Sequence, residues 1–218
     1  MKTLKLLSLL IFFPVITYCQ TDLIKKTVKN TNRTEETFYV LKSNTTIRQG
    51  EYKKQFNGKL LEEGVYENGQ KGIWSFYNEN SQIYFKYDFI NDSVTYLNLD
   101  TTKYMLYLDK TIRIKADRPA LPLISEIEMF SNFNSIIKYP EKAIEEDKSG
   151  TVEIGIQIDS LGLINNYIVL KSVDSLLDDE ALRVVKIITK NITFLPAVQN
   201  GVKITSYYIL PVNFVLNY

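Results

Sequence analysis

The sequence has no histidine, and its single cysteine, Cys19, lies close to the start of the chain. Those two scarcities remove most side-chain chemistry at once. With no His and no second Cys there can be no Ser-His-Asp triad, no His/Cys zinc site and no disulfide, and beyond residue 19 there is no thiol nucleophile. Proline is sparse, with six residues, which leaves no material for a long Pro-rich spacer. Charge of one sign is lacking as well. The chain has 26 Lys plus Arg against 25 Asp plus Glu, a net charge of +1, so it carries no electrostatic footprint for nucleic acid or anionic lipid. No Gly-rich loop followed by Lys-Ser or Lys-Thr occurs, and no Gly-x-Gly-x-x-Gly follows a strand-like run, so the usual phosphate cradles are missing. No cofactor and no metal are expected. Carboxylates are the one remaining catalytic option, with Glu62 and Glu63 as the residues to substitute, but no paired-acid signature of glycoside hydrolysis accompanies them. The chain reads as a non-enzyme.

Long apolar stretches are also absent. The run from Leu6 to Ile16 is interrupted by Pro14 and falls short of the roughly 20 residues that a membrane-spanning helix needs. Lys2 and Lys5 precede it, and Thr17 and Cys19 provide small-residue cleavage positions ahead of Gln20, so residues 1–19 are expected to be a secretory signal peptide. Lipidation of Cys19, or retention of the segment as an anchor, are the alternatives. Membrane contact is expected only in those two cases.

Apolar residues make up 45% of the 218 positions, ordinary globular composition and enough for one or two cored domains. The 15 Tyr and 11 Phe suit half-buried sheet positions. Residues 20–37 carry Lys25, Lys26, Lys29, Arg33, Glu35 and Glu36 with little to bury, and are expected to be a loosely held polar leader. Residues 38–112 give short β-type runs such as Phe38 to Leu41, Ile73 to Tyr77 and Ile83 to Tyr87. Asn57-Gly58 and Asn68-Gly69 mark tight hairpin turns, because both residue types tolerate the positive φ of a type I′ turn. The stretch Gly64 to Tyr77 echoes Gly50 to Gly58 and resembles MORN-type repeats, which implies hairpins side by side. In that arrangement Tyr66, Trp74 and Phe76 serve packing rather than a ligand platform. Pro119 and Pro122 suggest a linker over 113–123.

From residue 124 to 218 the pattern is α+β. Ile124 to Asn134 reads as a helical approach, and Lys138 to Glu146 as a helix with Pro140 in its first turn. Val152, Ile154, Ile156 and Ile158 alternate with polar residues or Gly, which marks a strand with one buried face. Asp159-Ser160-Leu161-Gly162 turns the chain into a second strand, Leu163 to Lys171, with Ile164, Ile168 and Leu170 expected on one face. Leu177, Ala181, Val184, Val185 and Ile188 form the buried stripe of a helix capped by Ser175 with Asp178. Ile204, Tyr208, Leu210, Val212 and Phe214 then alternate along a last strand, and Pro211 assigns that strand to a sheet edge. Helix, strand, strand, helix, strand packs as a three-stranded antiparallel sheet with both helices on one face.

Tyr139-Pro140, Ala143, Gly150, Val152, Asp159, Gly162, Leu177-Asp178, Glu180-Ala181-Leu182-Arg183, Pro196, Gly201, Pro211-Val212 and Phe214 together resemble the TonB C-terminal domain family. The resemblance implies a periplasmic protein whose last strand receives a peptide of a TonB-dependent outer-membrane receptor or another envelope protein, in support of transmembrane transport. Carried onto this sequence, the receiving stretch is Lys203, Ile204, Thr205, Ser206, Tyr207, Tyr208 and Ile209, through strand addition. Full energy transducers resemble this chain less, because they carry a membrane His and a long Pro-rich spacer. Phe194 stands where the family usually shows Trp. The alternative reading is a structural envelope protein in which the MORN-like sheet binds protein and no energy is transduced. In that case the C-terminal domain forms a homodimer through its own edge.

Overall fold

The computed structural model describes residues 22–31, 33–98, 105–107 and 113–216. The expected signal peptide and Cys19 lie outside the described residues. An antiparallel meander opens the fold, with its strands paired in chain order: β1 (Leu23–Lys29), β2 (Thr34–Leu41), β3 (Asn44–Phe56), β4 (Lys59–Glu67), β5 (Gln70–Tyr77), β6 (Ile83–Asp88) and β7 (Ser93–Leu97). Both Asn-Gly turns adopt the expected conformation, with φ of 49° and 79° at Asn57 and Gly58 and of 49° and 83° at Asn68 and Gly69. Tyr52, Tyr66, Trp74, Phe76, Tyr84, Phe85 and Tyr87 bury one aromatic core.

The polar leader is corrected by this sheet. Leu23 to Lys29 pairs with Glu35 to Leu41 in an unbroken antiparallel register, so the sheet begins well before Phe38. A shortage of apolar residues rules out burial of β1 but does not prevent pairing, since backbone hydrogen bonds alone complete the ladder. As an edge strand, β1 carries Lys25, Lys26 and Lys29, charges that discourage further strands from adding there.

The remaining elements are β8 (Met105–Tyr107), β9 (Arg113–Lys115), β10 (Leu121–Pro122), α1 (Glu126–Ile136), α2 (Glu141–Glu145), β11 (Gly150–Ile158), β12 (Ile164–Lys171), α3 (Ser175–Thr189), β13 (Phe194–Leu195), β14 (Ala197–Gln199), β15 (Val202–Ile204) and β16 (Ser206–Phe214). The expected three strands are present as β12-β11-β16, and the described sheet continues through β8 and β9. Val152, Ile154, Ile156 and Ile158 are fully buried against Leu177, Ala181, Val184 and Val185 of α3, together with Met129 and Phe133 of α1 and Ala143 of α2. The helices therefore share one core on one side of the sheet.

Two local expectations change. Ile164, Tyr167 and Val169 pack on the core, whereas Leu170 lies over Gly155 beside Tyr207. An irregularity in register between Gln157 and Ile158 shifts the parity of β12 after Ile164, which moves Ile168 and Leu170 off the core face. The cap of α3 is Asp174, in an extended conformation and accepting from the Leu176 N–H at 2.9 Å. Asp178 instead accepts from the Ser172 hydroxyl and the Val173 N–H.

The β11–β12 turn follows its sequence signal. Asp159 Oδ1 accepts from the N–H groups of Leu161 and Leu163, both at 2.9 Å, and Gly162 adopts φ +85°. A Cβ at Gly162 would stand 2.2 Å from the Phe194 carbonyl oxygen, so backbone opposes backbone there. Gly162→Ala is expected to lose about 1–2 kcal/mol from its left-handed conformation alone, with the clash adding to it. Urea denaturation would measure this, and a loss below about 0.5 kcal/mol would show that the turn relaxes freely.

Residues 113–123 are a joint rather than a linker. Ala116, Ala120 and Leu121 are buried, Arg118 donates through Nη2 to the Pro196 carbonyl at 2.7 Å, and β10 pairs with β13. Leu121 and Leu195 enter the aromatic core of the N-terminal sheet, and Tyr84 donates its hydroxyl to the Ile124 carbonyl at 2.9 Å. Below this joint Lys54 of β3 meets Glu128 of α1 at 2.6 Å, with both side chains nearly excluded from water. The two parts of the molecule therefore share packing and a buried charge contact.

Candidate functional site

On one side β16 pairs with β11 along its whole length, from Ser206 to Phe214. On the other, its register contact is a single one, Tyr207 opposite Tyr107 of β8. The expected edge strand is therefore an interior one in the described sheet, since β16 lies between β11 and β8, although only this one register pair joins it to β8. Pro211 lies beyond that pair, in keeping with its missing N–H.

The expected receiving stretch is therefore divided. Lys203 and Ile204 belong to β15, which pairs with β14 in a separate hairpin, and Lys203 forms an ion pair with Asp92 at 3.3 Å. Thr205 is exposed between the two strands. Ser206 is fully buried, and its hydroxyl finds no partner among the described residues. Tyr207 sits under β8 in register, and its hydroxyl accepts from Gln157 at 3.3 Å. Of the seven expected residues, Tyr207, Tyr208 and Ile209 line the groove described below. The sparsely paired side is displaced toward the C-terminus because Gly201 and Asn200 turn the chain before β15, and β8, a short strand remote in sequence, covers the start of β16.

A groove of 290 Å3 runs along this side of β16. Tyr207, Tyr208, Ile209, Leu210 and Pro211 all line it. Consecutive strand residues point to opposite faces, so a cavity touched by all five lies along the strand's edge rather than on either face. Glu126, Met129 and Phe130 of α1 bound it, and Tyr84 with Pro119 to Pro122 complete the lining. Ser125 places α1 there: its buried hydroxyl caps the helix by accepting from the Glu128 N–H at 3.2 Å. Leu210, Pro211, Tyr84 and the α1 residues were not among the expected site residues. Pro211 together with Pro119 and Pro122 was the available signal, since donor-free residues gather where a ladder stops.

Electrostatically the groove is apolar with an acidic end. Burial, then Glu126 and Tyr208, raise the Tyr84 phenol well above its ordinary range, so it stays a neutral donor. Burial, then the Glu79 carboxylate, pushes the Glu126 carboxyl up. No cluster of His, Cys, Asp and Glu able to hold a metal occurs among the described residues. Glu62 and Glu63 are committed elsewhere, Glu62 accepting from the Trp74 indole at 3.2 Å and Glu63 from the Tyr77 hydroxyl at 2.6 Å. No helix among the described residues is long and apolar enough to cross a membrane. What the arrangement offers chemically is a strand side with few described ladder contacts beside an apolar wall, a geometry that resembles the seat of an extended chain.

No curated protein and no solved structure matches the chain significantly. Residues 136–216, which take in α2, α3 and the β12-β11-β16 core, match the family described as Gram-negative bacterial TonB protein C-terminal, and the seven-stranded sheet and nearly all of α1 lie outside that match.

Proposed function

We propose that this protein works in the periplasm and captures an extended peptide from an outer-membrane receptor or another envelope protein by adding it as a strand to β16. The observation that carries the reading is the groove along Ile209 to Pro211, where a side of β16 in the family-matched region meets the apolar side of α1. Backbone pairing supplies affinity, and the wall formed by Met129, Phe130 and Leu121 selects the alternate side chains that point toward it. The expected site accordingly moves from Lys203–Ile209 to Ile209–Pro211. No catalytic step is assigned.

Titration of the full chain, rather than its C-terminal part, tests this, because the two parts share a core. Peptides copied from the N-terminal box of TonB-dependent receptors are expected to bind with Kd in the micromolar to millimolar range, typical of about −8 to −4 kcal/mol. No heat and no signal change at millimolar peptide would overturn the proposal.

A further inference from the structure

A separate cleft of 720 Å3 opens at the joint, where β6 and β7 of the N-terminal sheet face β13 and β14. Tyr87, Phe89, Val94, Leu97, Leu123 and Phe194 give it apolar and aromatic walls. Phe89, Val94, Leu97 and Leu123 are only partly buried against the aromatic core beneath them, so apolar surface is left facing the cleft. Leu161, 80% exposed, lines the same cleft from the β11–β12 turn that Asp159 holds in place. That volume, with apolar walls and few polar groups, is the usual form of a small-molecule site.

Arg118 brings a cation to this cleft. Its backbone is bonded to Val198 in both directions, the N–H donating at 3.1 Å and the carbonyl accepting at 2.8 Å. Its guanidinium is held by two neutral carbonyls, Pro196 at 2.7 Å and Pro119 at 3.4 Å. These use only part of the fork of N–H donors and leave its charge uncompensated. The other charges lining the cleft are engaged elsewhere: Lys203 and Asp92 pair with each other at 3.3 Å, Asp92 also accepts from the Tyr87 hydroxyl, and Asp117 accepts the Gly201 N–H at 3.0 Å. Among the described residues Arg118 forms no ion pair. A fixed planar guanidinium without a carboxylate, beside apolar walls, is matched by a ligand that brings its own carboxylate.

We infer that this cleft binds a small monocarboxylic acid with an apolar body, its carboxylate on Arg118 and its alkyl or aryl part between Phe89, Leu97 and Phe194, with Leu161 at the outer end. The site needs both parts of the molecule, since Phe89 and Leu97 lie outside the family match and Phe194 within it. No residue of β16 lines it, so it does not depend on strand addition.

Calorimetric titration of the full chain with octanoate and with phenylbutyrate, each beside its primary amide, tests the assignment. The amides keep the apolar body and remove the charge. Each acid is expected to bind about tenfold more tightly than its amide, the scale of one charge-assisted contact. Arg118→Gln is expected to erase that preference. Leu161→Glu, a change at an exposed position that leaves the core untouched, is expected to weaken the acids more than the amides, because it sets a like charge at the mouth. Arg118 also ties down the Pro196 carbonyl, so Leu161→Glu carries the test if circular dichroism shows Arg118→Gln unfolded. Acids that bind no better than their amides, or not at all at millimolar concentration, overturn the site. An acid preference that survives in folded Arg118→Gln, or is unchanged in Leu161→Glu, puts the ligand elsewhere and overturns it too.

Discussion

Trp74→Ala is expected to destabilise the protein by about 3–5 kcal/mol, the range for losing a large buried aromatic side chain. Trp74 is fully buried. Its ring lies 4.9 Å from Tyr52, 5.1 Å from Tyr66 and 6.0 Å from Phe89, centroid to centroid, and Lys71 Nζ stands 4.7 Å above it. The closeness extends to backbone: a Cβ at Gly64 would be 2.2 Å from the Trp74 ring, so the ring packs directly on the facing strand. Truncation thus opens a cavity between three strands and also deprives the buried Glu62 carboxylate of its indole donor. Because Leu121 and Leu195 belong to the same core, the loss should shift one cooperative transition for the whole chain. Circular dichroism in urea would show this, and fluorescence would not, since Trp74 is the single tryptophan. Two separated transitions, with the second unshifted, would show that the two parts fold independently.

Lys54→Met is expected to cost about 3–5 kcal/mol at neutral pH, the scale for stranding a buried charge. Lys54 pairs with Glu128 Oε1 at 2.6 Å, and Glu128 Oε2 has no hydrogen-bond partner among the described residues. Burial by itself would lower the pKa of Lys54, but Glu128 and then Glu62 outweigh it and hold the ammonium charged. Glu62 shows the opposite balance. Burial drives its carboxyl up, and Lys54 only partly offsets that. Glu62→Gln is therefore expected to be neutral or stabilising at neutral pH. The sign follows from proton linkage: a carboxyl whose pKa is higher in the folded than in the unfolded state takes up its proton on folding. Stability from this group is present below the unfolded carboxylate range and declines as pH rises through the folded pKa. The gain from Glu62→Gln should accordingly grow with rising pH and vanish in acid. A gain that grew toward low pH would contradict the raised pKa of Glu62.

Much of the fold was legible where its signals are local. The alternation from Val152 to Ile158, the stripe from Leu177 to Ile188 and the two Asn-Gly turns each depend on residues a few positions apart, and the structure realises all of them. Features set by distant pairing were not legible. β1 has few apolar residues and is ordered by its ladder to β2. The parity change in β12 comes from an irregularity that no periodicity announces. The edge of β16 depended on the same kind of information: a short strand at Met105–Tyr107 covers its beginning, and α1 walls its remainder. Pro211 suggested an edge strand, yet the described sheet sets β16 between β11 and β8, a neighbour remote in sequence that no local signal announces.

Amide hydrogen exchange across β16, with and without a receptor-box peptide at saturating concentration, tests strand addition most directly. Ladder bonds formed by an added strand protect backbone N–H groups from water. Slowed exchange confined to the segment containing Tyr208, Ile209 and Leu210, with β12 and β1 unchanged, is the predicted result. Binding that leaves this segment unprotected while protecting β12, β1 or another edge would contradict it.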